Sequence, residues 1–264
     1  MRENRVRTLW SQGKPAINAW LQIPSSFSAE VMAHMGWDSV TVDLQHGVTD
    51  YMSAVHMFTA ISTTPATPMA RVWWNDPAII MKLLDAGAYG IICPLVNNRA
   101  ECEAFVRACR YPPDGYRSSG PIRATLYGGA DYMSKANETV LTFAMIETAE
   151  AVENLDAITS TPGLDAIYIG PSDLSMTHGG TPGLDQTDPR IVALIDRAFA
   201  SARKNGIRAG IQCGSVPYAK KMLAQGFDLV TIYSDSRLMV AAGSRMFAEL
   251  NEGKIEDKKP GSVY

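Results

Sequence analysis

Two acids stand where strand-like runs give out. Glu147 directly follows the apolar stretch FAMI, and Asp173 comes two residues after Gly170-Pro171 in YIGPSDLS. A carboxylate flanked by apolar residues is expensive to bury unless it is paired or holds a cation. Two such carboxylates converging on one point, with water in the remaining positions, make the oxygen-rich, incompletely filled site that Mg²⁺ and Mn²⁺ favour. Beside them, Ser172 and Asp173 open a short helix or turn after Gly170 and Pro171, where free backbone N–H groups attract an anion. A cation site next to an anion site suits a 2-keto carboxylate: its keto oxygen and one carboxylate oxygen chelate the metal, and the N–H groups take the other oxygen. Further polar residues gather at other strand-like ends, namely Asp43, Gln45 and His46, then Arg71, Gln212, Ser234 and Asp235. Any one of these alone also fits a strand end that merely meets solvent, and His46 alone fits a hydrogen-bonded structural histidine.

These residues acquire a common purpose only if the fold gathers the strand ends. Eight short runs rich in Val, Ile or aromatic residues, at 17–23, 39–45, 67–73, 89–95, 142–148, 165–171, 208–213 and 229–235, alternate with segments of helical apolar period. Segments such as DPAIIMKLLDAG and VPYAKKMLAQG end in a Gly that marks a helix C-terminus, and Pro77 after Asn75-Asp76 marks a helix start. Such alternation predicts βα units around a parallel sheet. Eight units in about 250 residues predict an α/β TIM (β/α)8 barrel, with an extra N-terminal helix and a last helix near SRLMVAAGSRMFAELNEG. A doubly wound open sheet competes, but it lacks its Gly-rich nucleotide-binding turn after an early strand. In a barrel the active site lies at the C-terminal strand ends, where the candidates fall. The stretch 111–129, YPPDGYRSSGPIRATLYGG, reads as one irregular loop too long for an idle connection. The expected organisation is one barrel domain over 1–250 and a polar tail over 251–264.

The 264 residues are 46% hydrophobic and 19% charged, which is enough for one large core. A formal net charge of -3 leaves no basic footprint of a nucleic-acid or membrane-surface binder. The start MRENRVRTLW lacks the features of a signal peptide, and no apolar run approaches the roughly 20 residues that cross a bilayer, so a cytoplasmic protein is expected. Cys93, Cys102, Cys109 and Cys213 form no CxxC and have no histidine at zinc-finger spacing, so they read as buried reduced thiols.

Six blocks carry a resemblance: VDLQHG (42–47), ARVWWNDP (70–77), KLLDAGAYGIICPLV (82–96), RYPPDGYR (110–117), IETAEAVENLDAI (146–158) and IGPSDLS (169–175). Together, in this order, they resemble the signature blocks of the metal-dependent class II pyruvate aldolases of the HpcH/HpaI type, over nearly the whole chain. The resemblance implies a hexamer of TIM barrels with a C-terminal helix exchanged between neighbours. It also implies a divalent ion (Mg²⁺, Mn²⁺ or Co²⁺) and reversible aldol cleavage of 4-hydroxy-2-oxo acids. The products would be an aldehyde and pyruvate, or a related 2-keto acid such as hydroxypyruvate, formed through a metal-stabilised enolate. It makes Glu147 and Asp173 the metal ligands, Arg71 the stabiliser of the enolate oxygen, His46 the general base and Asp85 the residue that orients His46. Asp85 has an independent peculiarity, since an acid in the last turn before a C-terminal Gly faces the negative helix end and calls for a partner. The resemblance places Asp43 near the metal waters, Gly170, Pro171 and Ser172 at the substrate carboxylate, and Trp20 and Gln212 around the acceptor aldehyde. Arg117 and Arg123 lie in the long loop and either meet a neighbouring subunit or the far end of the substrate, or only fix the loop.

The chain departs from the family pattern at two places. Gln45 stands where many relatives have an acid, and Met145 stands where many have a glutamine on the strand before the metal-binding Glu. Met145 and Glu147 share a strand face, so a thioether replaces an amide that would orient a metal water. No strand-like run carries a lysine, which argues against a Schiff-base mechanism. Two other functions are weighed: decarboxylation or lyase chemistry on a 2-keto diacid at the same enolate site, and a non-catalytic barrel that binds keto acids.

Overall fold

The computed structural model describes residues 1–251. The expected tail therefore lies outside the described residues except for Asn251. Eight parallel strands close into a barrel in sequence order: β1 (Ala16–Leu21), β2 (Ser39–Asp43), β3 (Thr67–Arg71), β4 (Gly90–Cys93), β5 (Leu141–Ile146), β6 (Ala166–Ile169), β7 (Arg208–Cys213) and β8 (Leu229–Ser234). Pairing of β1 with both β2 and β8 closes the ring. The strands stop earlier than the sequence pattern suggests, because their last polar residues leave the ladder: Asp235 opens the final helix, and Pro171 is the first helical residue after β6.

The period of two along each strand divides the core into two layers. Leu141, Phe143 and Met145 of β5 point into the barrel with Trp20, Met69, Ile92, Tyr168 and Leu229, whereas Ala144 and Ile146 pack outward under the helices. The N-terminal helix Arg5–Ser11 plugs the bottom. Its Trp10 meets Phe143 edge-on at 5.8 Å and donates its indole N–H to the Asp228 carbonyl at 2.8 Å. Deleting the fully buried Phe143 ring would open a cavity at a cost of about 3–5 kcal/mol.

After each strand up to β7 the helical connection returns the chain from the C-terminal rim to the N-terminal rim, and side-chain caps mark many of the helix starts. Asp76, for example, accepts the Ala78 amide at 2.9 Å, with Pro77 as the first residue of the helix Pro77–Asp85. The stretch 111–129 is less irregular than expected, because it folds a short helix over Ile122–Gly128 directly after Pro121. In the last helix, Asp235–Leu250, only Asp235 is buried, and Met239, Val240, Met246, Phe247 and Leu250 are exposed. The four cysteines are free thiols and buried.

Candidate active site

The C-terminal rim carries a connected set of side chains. At its centre Asp43, the last residue of β2, is fully buried and receives a two-pronged hydrogen bond from Arg71, the last residue of β3, with Nε to Oδ1 at 2.8 Å and Nη2 to Oδ2 at 2.7 Å. The register sets Asp43 directly beside Arg71, so the pair follows from strand alignment. Trp20 of β1 adds its indole N–H to Asp43 Oδ2 at 3.0 Å and lies 4.9 Å under the guanidinium. The backbone amides of Gln45 and His46 turn back to Asp43 Oδ1 at 3.1 and 3.3 Å. Burial alone would raise the Asp43 pKa, but the charge and hydrogen bonds of Arg71, with those of Trp20 and the His46 amide, outweigh it and hold the carboxyl below its ordinary 3.8.

Glu147 continues the inward face of Met145 and is buried. Its Oε1 accepts the Leu95 amide at 2.8 Å. Leu95 holds a left-handed backbone (φ 54), unusual for a branched side chain, which aims that amide at the carboxylate. Gly170 makes room on the other side. A β-carbon there would stand 2.8 Å from Glu147 Oε2 and 3.2 Å from the Met145 methyl. Burial, with a smaller push from the charge of Asp173, lifts Glu147 to about 7, against the opposing Leu95 hydrogen bond and Arg71 charge. Asp173 sits in the first turn of the helix Pro171–Thr177, whose N-cap Gly170 offers no side chain to its opening amides.

A buried, acid-destabilised carboxylate that feels a second carboxylate is the chemistry a divalent cation relieves, so Glu147 and Asp173 fit the expected ligand pair. Among the described residues no group of three or more His, Cys, Asp or Glu forms a metal cluster, so water and substrate would complete such a site. The thioether of Met145 adds no oxygen donor. Gln45 keeps a buried Oε1 without a hydrogen-bond partner.

Of the other expected residues, His46 is exposed on the rim three residues past Asp43. Gln212 is half-buried at the mouth, where its Oε1 takes the Tyr168 hydroxyl at 2.6 Å. Asp85 is not brought to His46 within the chain. It ends the helix Pro77–Asp85 and so lies at the opposite, N-terminal rim, where the buried Arg117 donates to its Oδ1 at 2.8 Å. The partner that the helix-end acid called for is thus Arg117, which also reaches the Tyr132 hydroxyl at 3.0 Å. Arg123 fixes the neighbouring helix end through the Ala86 carbonyl. A surface cavity of about 530 Å³, lined by Arg7, Trp10, Asp165 and Arg208, also belongs to that far rim. Leu95 and Tyr168 escaped the sequence reading, since nothing in PLV announces a left-handed leucine.

Similarity to known proteins agrees with this geometry. Residues 17–242 match the model of the HpcH/HpaI aldolase/citrate lyase family. The hydroxypyruvate/pyruvate aldolase of Rhizorhabdus wittichii is 44% identical over 93% of this chain and 98% of its own. The 4-hydroxy-2-oxo-heptane-1,7-dioate aldolase of Escherichia coli is 35% identical over 99% of this chain and all of its own (100%). A crystal structure of an HpcH/HpaI aldolase/citrate lyase family protein from Burkholderia cenocepacia superposes with a TM-score of 0.87 at 28% identity, covering 94% of this chain and 99% of that one. The fold and rim define an α/β barrel of the aldolase kind. The chain belongs to the HpcH/HpaI aldolase/citrate lyase family.

Proposed function

We propose that the protein is a divalent-metal-dependent aldolase that reversibly splits a 4-hydroxy-2-oxo acid into an aldehyde and pyruvate, or a related 2-keto acid such as hydroxypyruvate. It is a carbon–carbon lyase by family and by its full-length aldolase relatives. The observation that carries the metal-dependent reading is Glu147, a buried carboxylate lifted by burial and by Asp173 and facing the charge of Arg71. Glu147 and Asp173 would hold Mg²⁺, Mn²⁺ or Co²⁺, which supplies Lewis-acid polarisation of the keto oxygen when bound.

The chain's own groups do the rest. Asp43 holds two nitrogens of the Arg71 guanidinium and leaves Nη1 for the C2 oxygen, on which negative charge grows as the C3–C4 bond breaks. In cleavage the C4 hydroxyl gives up its proton as the bond electrons move to C3 and the C2 oxygen, and C3 is then protonated to give the methyl group. His46, an imidazole at the open rim, is assigned that proton. The uncapped amide of Ser172, in the turn of Gly170 and Pro171, receives the substrate carboxylate. Trp20 and Gln212 line the acceptor side. No barrel strand contains a lysine, which supports enolate chemistry over a Schiff base. Asp85 can orient His46 only from a second copy of the chain, and the exposed apolar residues of the helix Asp235–Leu250 support assembly into the proposed hexamer. Among the described residues no helix is long and apolar enough to cross a membrane, and we place the enzyme in the cytoplasm.

The test is exchange of the pyruvate methyl protons in D₂O, followed by NMR on chelator-stripped protein and again after adding each ion. Exchange that needs the metal and collapses in Glu147→Ala and Arg71→Ala is expected. Folded protein that exchanges nothing with any ion would sink the reading.

A further inference from the structure

The N-terminal rim, at the far end of the barrel from Glu147 and Asp173, gathers more positive charge than it balances. Asp165, the residue before β6, accepts Arg7 Nη2 at 2.7 Å and Arg110 Nη2 at 2.8 Å, together with the Thr142 amide at 2.9 Å and the Thr142 hydroxyl at 3.0 Å. Asp228, the residue before β8, accepts Arg208 Nη1 at 3.0 Å and the Ala209 amide at 2.9 Å, with Arg203 Nη2 also at 2.9 Å. Each carboxylate thus serves two guanidiniums, and each triad keeps one unbalanced positive charge. The triads are neighbours. Arg208 pairs in the sheet with Ala166, the residue after Asp165. Trp10 ties the N-terminal helix to the second triad, since its carbonyl accepts Arg208 Nη2 at 3.2 Å and its indole N–H reaches the Asp228 carbonyl at 2.8 Å.

The cavity of about 530 Å³ opens between the triads, lined by Arg7 and Trp10 of the N-terminal helix and by Leu164, Asp165, Ile207 and Arg208 of the barrel. The side chains of Arg7 and Arg208 remain 34% and 37% exposed, so both can meet a ligand. Their ties to the protein hold them in place without using every donor. Arg7 gives Nε to the Thr139 carbonyl at 3.3 Å and Nη2 to the Val140 carbonyl at 3.0 Å as well as to Asp165. Arg208 gives Nη1 and Nη2. Among the described residues, Arg7 Nη1 and Arg208 Nε have no hydrogen-bond partner. Two positioned guanidiniums with charge to spare call for an anion, and their forked donors match the paired oxygens of a carboxylate or phosphate. The apolar walls of Leu164 and Ile207, and a volume in the range of small-molecule sites, call for a carbon body as well.

We propose that this cavity binds a small organic dianion, a phosphate monoester or a dicarboxylate, whose oxygens bridge Arg7 and Arg208 while its carbon body lies against Leu164, Ile207 and Trp10. A charge of two matches the two unbalanced guanidiniums. Because Arg7 belongs to the helix that plugs the barrel and Arg208 opens β7, the ligand fastens the plug to the barrel wall. The site is separate from the C-terminal rim and does not depend on the aldolase reading.

The test is calorimetric titration of the full-length protein in chelator, so that no metal at the opposite rim collects the anion, with glycerol 3-phosphate, succinate and inorganic phosphate in turn. Both organic dianions are expected to bind more tightly than inorganic phosphate, and the tighter of the two identifies the head group. Arg208→Gln should weaken that binding by about 10- to 100-fold, the effect of losing a charge-assisted hydrogen bond. Arg7→Gln should act in the same direction. Ser11→Trp sets a bulky ring on another residue of the cavity lining while keeping every arginine, and serves if the arginine variants do not fold. In urea unfolding, the tighter ligand should raise the midpoint of the wild type more than that of any of these variants. No binding of either organic dianion, inorganic phosphate bound as tightly as both, or an affinity unchanged in the folded variants overturns the proposal.

Discussion

Replacing Glu147 by glutamine should make the metal-free protein more stable at neutral pH while abolishing its response to metal. In the metal-free fold Glu147 titrates near 7, against 4.5 for an ordinary glutamate. Below 4.5 both the folded and unfolded chains keep the proton, and the contribution of the protonated side chain is fully present. Between 4.5 and about 7 the unfolded chain has lost the proton and the folded one retains it, so stability falls as pH rises. The fall is roughly 1.4 kcal/mol per pH step and about 3 kcal/mol in all. Above 7 no further loss comes from this group. Glutamine has no such titration, so urea unfolding in chelator from pH 5 to 8 should show the wild type weakening across the window relative to Glu147→Gln. Adding Mg²⁺ or Mn²⁺ at about 100 times its Kd should return roughly 2.7 kcal/mol to the wild type and nothing to the variant. Equal pH slopes in the two proteins would refute the claim that burial has destabilised this carboxylate. Equal stabilisation by metal would refute its role as a ligand.

Asp43→Asn strips a buried guanidinium of its anion and should destabilise by about 3–5 kcal/mol in urea unfolding. Arg71→Lys keeps the charge but not the fork, and should lower the pyruvate exchange rate by about 10²–10³-fold. Gly170→Ala, at a φ of -100° that alanine adopts freely, can perturb only by contact with Glu147 and the Met145 methyl beside it. It should weaken metal binding by about 10- to 100-fold in calorimetry.

Barrel architecture was legible because short runs rich in Val, Ile and aromatic residues alternate with segments of helical period, a rhythm that few topologies share. Their ends were less legible: Pro171 and Asp235 belong to helices because proline and a capping environment compete with the ladder at those points. Glu147 and Asp173 could be singled out because a charge after an apolar run needs a reason. The physical need of Asp85 for a partner was also readable, but not the partner's identity, because a helix leaving the C-terminal rim must end at the other one. Leu95 could not be foreseen, since a positive φ is one that a branched side chain rarely adopts and no neighbouring residue signals it. The helix Ile122–Gly128 was hidden because its seven residues, set between Pro121 and Gly129, are too few to establish a helical period.

The block RYPPDGYR has a different kind of consequence. Arg110 ties to Asp165 at 2.8 Å, and Arg117 to Asp85, both away from the carboxylates. Part of the signature by which such a chain is recognised therefore holds the barrel shut. In a variant library scored by product formed per colony, changes at Arg110 would register as losses of activity while lowering only the amount of folded enzyme. Dividing each signal by soluble protein would restore them to their proper class and leave the rim residues as the ones whose turnover per molecule changes.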